Sequence, residues 1–183
     1  MSWLIVGVLL WIAAHLFKRV LPGQREALGK AGKIAVALLI LVSVGLMIVG
    51  YRASDDVALY ALPFWVWYLN NAMMLCAIVL MDVGRVNGVI RTRLRHPMLL
   101  GVVVWSAAHL LVNGDLASLI LFGGLGSWAL LEIAVINRAE GPWRAPAVGS
   151  LVSDGKVVVV ACFLFALIAG IHHWLGYSVV AFL

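Results

Sequence analysis

Residues 34–50 read Ile-Ala-Val-Ala-Leu-Leu-Ile-Leu-Val-Ser-Val-Gly-Leu-Met-Ile-Val-Gly, an apolar run bounded by Lys33 and by Tyr51-Arg52. A helix needs about 20 apolar residues to cross a hydrocarbon core of about 30 Å. This run approaches that length without a single charge. Further stretches of the same kind occur at 2–17, 57–81, 98–112, 116–136 and 157–182. The expected fold class is therefore all-α. One domain over 1–183 forms a polytopic membrane helix bundle of about six transmembrane helices. The stretch 98–112 is short, and its helix is expected to begin at Pro97, because proline suits a first helical turn.

The whole chain agrees with that run. Of its 183 residues, 64% are apolar and 11% charged, whereas a soluble domain averages about 25% charged. Such a chain could not hide its surface from water, so the lipid bilayer is its natural solvent. The net charge of +5 sits in clusters between the apolar runs, which orients the protein and leaves no nucleic-acid patch. Lys18, Arg19, Arg25, Lys30 and Lys33 follow the first run; Arg85, Arg91, Arg93 and Arg95 follow the third; Arg138, Arg144 and Lys156 follow the fifth. Of the 13 cations only Arg52 falls on the other side. The positive-inside rule then places both termini outside and the basic loops in the cytoplasm of a bacterial inner (plasma) membrane. The first segment is expected to be a membrane helix rather than a signal peptide, because Lys18 and Arg19 follow its apolar stretch instead of preceding it. Cys76 and Cys162 lie inside apolar runs, where a packing role is expected. The segment 137–156, rich in Gly, Pro, Ser and Ala, reads as a long mobile connector, and Asn113-Gly114-Asp115 as a tight outer turn.

Ionisable groups within membrane helices are rare and default to a functional reading. Two of the histidines share a pattern. Residues 10–16 read Leu-Trp-Ile-Ala-Ala-His-Leu, and residues 104–110 read Val-Trp-Ser-Ala-Ala-His-Leu. At helical spacing Trp11 lies one turn from His15 on the same face, and Trp105 one turn from His109. The alanines clear space beside each imidazole. Two imidazoles facing each other across such a gap suit axial ligation of haem iron, and the small and aromatic walls suit the macrocycle. The competing reading is chance similarity in a chain rich in Ala and Leu. Depth is a check on the pair. His15 lies about 20 Å from the outer end of its helix and His109 about 18 Å above Pro97, a height difference of roughly 8 Å. His172, about 22 Å above its inner end, is closer in height to His109 and stays open as its alternative partner.

Other residues could support such a cofactor. Arg19, one turn below His15, and Arg95, in the same basic layer, can each pair with a propionate, because guanidinium matches carboxylate in a fork. The plainer reading is positive-inside anchoring. His96, in Arg93-Leu-Arg-His-Pro97, reads either as a headgroup contact or as a proton-donating group near the cytoplasmic face. Asn70 and Asn71 are expected to bond to neighbouring helices or a ligand. Glu132 is expected to pair with a loop arginine.

The segment Arg95-His96-Pro97-Met-Leu-Leu-Gly101, followed by Trp105, Ala108-His109-Leu-Leu and Asn113-Gly114-Asp115-Leu116, closely resembles the NnrU family. The resemblance runs over nearly the whole chain, including the early His15 and Ile171-His172-His173-Trp174-Leu175. That family is associated with nitrite and nitric oxide metabolism and is similar to the plastid 15-cis-zeta-carotene isomerases, which are membrane haem b proteins. The resemblance implies haem b, with iron held at His15 and His109. It implies redox-gated chemistry on a carotenoid-like polyene or on nitric oxide. After the fourth run the chain departs from the plant isomerases, which leaves the substrate open. A non-enzymatic accessory role in denitrification shares the same ligands. A membrane S-adenosylmethionine-dependent methyltransferase is the reading from another class, since Arg-His-Pro also resembles a cofactor motif of the isoprenylcysteine type. Those enzymes need a close pair of glutamates, and this chain offers Glu132 and Glu140.

Overall fold

The computed structural model of the chain describes residues 1–177 and 179. Among the described residues the fold is all helical. Its helices are α1 (Ser2–Val20), α2 (Pro22–Ala27), α3 (Gly29–Arg52), α4 (Val66–Val83), α5 (Pro97–Val112), α6 (Leu116–Glu140) and α7 (Leu151–Trp174). A π turn at Leu119–Gly123 interrupts α6. The 5 helices α1, α3, α4, α6 and α7 are long and apolar enough to cross a membrane. With 16 residues, α5 is the short one. It is about 24 Å long and starts at Pro97, as its sequence predicts. The chain is a multi-pass membrane protein.

α1 packs on α3, α4 on α5, α5 on α6, α1 on α6 and α4 on α7. The five long helices and α5 therefore stand in the order α3, α1, α6, α5, α4, α7, which differs from their order in the chain. Small residues set the closest approach. A Cβ on Gly7 would fall 2.8 Å from the backbone nitrogen of Met47, and one on Gly50 would run into the backbone of Leu4. Dispersion between closely approaching backbones replaces the hydrophobic effect, which is absent between helices in lipid. Leu38, Leu41, Ile48 and Phe163 stay exposed on the outer faces, where acyl chains cover them. Cys76 and Cys162 are exposed as well, so they face lipid rather than pack.

Several boundaries differ from expectation. The stretch 57–81 does not open as a helix, because α4 begins at Val66. Pro63 disfavours the α conformation in the residue before it. The segment before α4 instead straps the neighbouring turn: Leu59 and Tyr60 donate to the Gly114 carbonyl at 2.7 and 3.1 Å, and Leu116 donates to Val57 at 2.9 Å. The last helix starts six residues early, at Leu151, where Ser150 caps it by accepting from the Val152 amide. It ends at Trp174; positions 178 and 180–182 of the expected span lie outside the described residues.

The connector 137–156 is shorter and better anchored than its composition suggests. α6 runs to Glu140 and α7 begins at Leu151. The Ser150 amide donates to the Asn87 carbonyl at 2.9 Å. Buried Asp154 reaches back into the 84–96 loop, where one carboxylate oxygen accepts from the amides of Val89 at 2.7 Å and Ile90 at 3.2 Å. Replacing Asp154 by Ala strands both amides. We expect a loss of about 1–3 kcal/mol, read as a lower unfolding temperature in detergent. Asp154→Asn keeps a carbonyl acceptor and should lose less. Identical melts for wild type and Asp154→Ala would rule the clasp out.

Candidate functional site

The site is organised along α6. Asp115 caps its start, accepting from the Ser118 amide at 2.8 Å and the Ser118 hydroxyl at 2.6 Å. The π turn follows, and it points Phe122 into the protein, where it is buried. Such turns recur at functional sites because the extra residue re-aims a side chain. Here Phe122 stacks on the His109 ring at 4.3 Å and 24°. Trp105 joins the same cluster, 4.8 Å from His109 and 5.1 Å edge-on to Phe122. The Nδ1 of His109 lies 3.0 Å from the Trp105 carbonyl. A carbonyl only accepts, so Nδ1 carries the proton and Nε2 keeps the lone pair in the neutral ring.

His15 repeats the arrangement on the other flank of α6. Its Nδ1 donates to the Trp11 carbonyl at 2.9 Å. Its ring lies 4.2 Å from Trp11 and 4.7 Å from Trp128, and the two indoles meet edge-on at 5.4 Å. Phe122 and Trp128 are separated by about 9 Å of rise along α6. The height offset expected from sequence thus reappears in the partners that the two histidines choose. α1 and α5 each pack on α6, and an α6 aromatic covers each imidazole. His172 has the same local bond, its Nδ1 donating to the Ile168 carbonyl at 2.8 Å.

A family model described as NnrU protein matches residues 3–179. The chain belongs to the NnrU family. No curated protein and no solved structure matches it.

The remaining site residues gather at the basic end of α6. Arg19 reaches Glu140 at 3.1 Å and Glu132 at 3.8 Å. Arg95 reaches Glu140 at 3.5 Å and donates to the Gly141 carbonyl at 2.6 Å. His96 Nε2 lies 2.9 Å from the Asn137 Oδ1. Glu132 pairs with Arg19 at the end of α1 rather than with a loop arginine. Positions 132 and 140 stand two turns apart on one face of α6 and share that guanidinium. Trp11, His15 and Arg19 recur every four residues on α1, opposite Trp128, Glu132 and Glu140 on α6. Sequence reasoning missed Trp128 and Phe122 in this NnrU chain. The spacing of four and then eight residues in Trp128, Glu132 and Glu140 was the available signal for the first. A π turn leaves no periodic trace that could have flagged the second. Asn70 is buried on α4 and donates to the side chain of Asn71 at 3.1 Å.

The residues at this seam fit haem in their donor chemistry. Metal-bound histidines characteristically anchor the second ring nitrogen on a carbonyl, and His15 and His109 both do so. Buried polar atoms beside them lack partners: Trp11 Nε1, Trp128 Nε1, Ser106 Oγ and Glu132 Oε2. Each costs free energy until a guest or water satisfies it. His15 packs on Trp128 and His109 on Phe122 rather than face to face, so sharing one iron would require both rings to leave these partners.

Glu140 serves two guanidiniums, one from α1 and one beside α5. Glu140→Gln should therefore loosen both contacts. It lies on an exposed rim, so we expect about 0.2–1 kcal/mol per pair. Arg95→Met should cost more, because that side chain is only 18% exposed and its loss leaves Glu140 and the Gly141 carbonyl short of a donor. A double-mutant cycle over Arg19→Gln and Glu140→Gln, read by thermal unfolding, measures the coupling. Zero coupling would show the pair to be incidental.

Proposed function

We propose that this chain binds haem b inside the membrane, with His15 and His109 as imidazole ligands, and performs redox-linked chemistry on a lipid-soluble or small ligand. One observation carries the reading. Both histidines of the repeated Trp-x-Ala-Ala-His segment fix Nδ1 on the carbonyl one turn back and keep Nε2 free, within an enclosure of aromatic rings. His172 has the same backbone bond, but among the described residues no aromatic ring packs on it as Trp128 and Phe122 do on the other two. Arg19, one turn from His15, is the side chain suited to a propionate. Bound haem would supply an iron able to change oxidation state and free a coordination position. The chain's own residues supply the apolar walls, the oriented imidazoles and the guanidinium. The family resemblance adds the substrate class, a carotenoid-like polyene or nitric oxide, either of which dissolves in the bilayer.

The competing ligand pair is His109 and His172, which residue counts place at similar height in the membrane.

Absorption spectra of the purified protein after haem-replete expression, oxidised and reduced, test the reading. A Soret band is expected. His15→Ala and His109→Ala should each cut haem content by more than the roughly tenfold loss that follows removal of a group behind a ligand, while His172→Ala retains it. Retention in His15→Ala with loss in His172→Ala would transfer the second ligand to α7. A protein without a Soret band, or unchanged haem in both His15→Ala and His109→Ala, would sink the proposal.

A further inference from the structure

At the basic end of the molecule, between α4 and α5, lies a cavity of about 300 Å³. Its apolar lining includes Met81, Pro97 and Met98, and its polar lining is Arg85, Arg95 and His96. The loop 84–96 contains Arg85, Arg91, Arg93 and Arg95 and no Asp or Glu. We propose that this cavity binds the headgroup of an anionic phospholipid, with the phosphate at Arg85 and the start of α5 and the acyl chains running along Met81 and Met98 into the bilayer.

Three features fit that occupant. First, the carboxylates nearby do not neutralise the cavity. Asp82 holds Arg85 only at 3.6 Å, and the Arg85 side chain is 73% exposed. Glu140 is shared between Arg95 and the closer Arg19. Second, α5 begins without a cap. His96 makes no side-chain cap bond, and the first turn holds no acidic residue. The amides of Met98 and Leu99 thus lack helical acceptors, and the positive end of the helix dipole adds to the arginines. Third, the cavity is two-sided in chemistry. A soluble anion would leave Met81, Pro97 and Met98 wet, whereas a phospholipid covers them. Basic pockets between transmembrane helices are suited to anionic headgroups. The cavity shares Arg95 and His96 with the basic end of the seam, whereas Arg85 takes no part in the proposed haem ligation.

The test uses the full chain in nanodiscs of equal phosphatidylglycerol and phosphatidylcholine, with co-purified lipid counted by native mass spectrometry. Wild type should retain phosphatidylglycerol preferentially. Arg85→Gln should lower that preference about fivefold. Met98→Trp, which fills the apolar lining and leaves the charge alone, should lower it too. Arg93→Gln alters an exposed arginine outside the cavity and should leave it intact. Inorganic phosphate should not displace the lipid. An unchanged preference in both Arg85→Gln and Met98→Trp overturns the proposal. An equal fall in Arg93→Gln overturns it as well, by reducing the effect to general headgroup attraction. Displacement by inorganic phosphate would replace the lipid with a free-phosphate site.

Discussion

A bilayer core supplies no hydrogen bonds, so a polar side chain that enters it must find its partner within the protein. In this chain that constraint falls on α6. Its length runs past His109, His15, Arg19 and Arg95 in turn, and it offers each a matched surface. Phe122 meets His109, Trp128 meets His15, and the carboxylates of Glu132 and Glu140 meet the arginines. Without α6, α1 and α5 would each carry an imidazole into lipid with only its own backbone carbonyl as partner. The polar character of the interior and the packing order of the helices are thus one fact seen from two sides.

Much of this was legible beforehand, because hydropathy and charge act over long windows. The run 34–50 reports a lipid-crossing helix whatever its neighbours do. Pro97 marks the start of α5, and Asn113-Gly114-Asp115 marks the turn before α6. The repeated segments singled out His15 and His109, and the structure gives both the same local hydrogen bond. Their height difference was also visible from residue counts alone.

What stayed hidden depends on partners far apart in sequence. The strap before α4 is apolar enough to pass for a span, and only its bonds to Gly114 and Leu116 reveal it as extended chain. The clasp of Asp154 on Val89 and Ile90 joins elements more than sixty residues apart, so composition alone suggested a loose connector. The π turn inserts one residue into a helix whose hydropathy does not change. Glu132 and Glu140 looked separate along the chain, yet eight positions are close to two helical turns, and one arginine spans both.

The packing order also bears on how the molecule is made. α1 with α3 and α4 with α5 are hairpins of neighbouring spans, and these two pairs share the most extensive contacts in the fold. Each can form as its second helix leaves the ribosome and enters the membrane. α6 is synthesised after both and comes to lie between them. Until it arrives, the two halves of the histidine seam belong to separate hairpins with no common wall. A nascent chain that stops short of α6 would therefore hold both repeated histidine segments without the wall that joins them, which makes insertion of α6 the committed step of assembly.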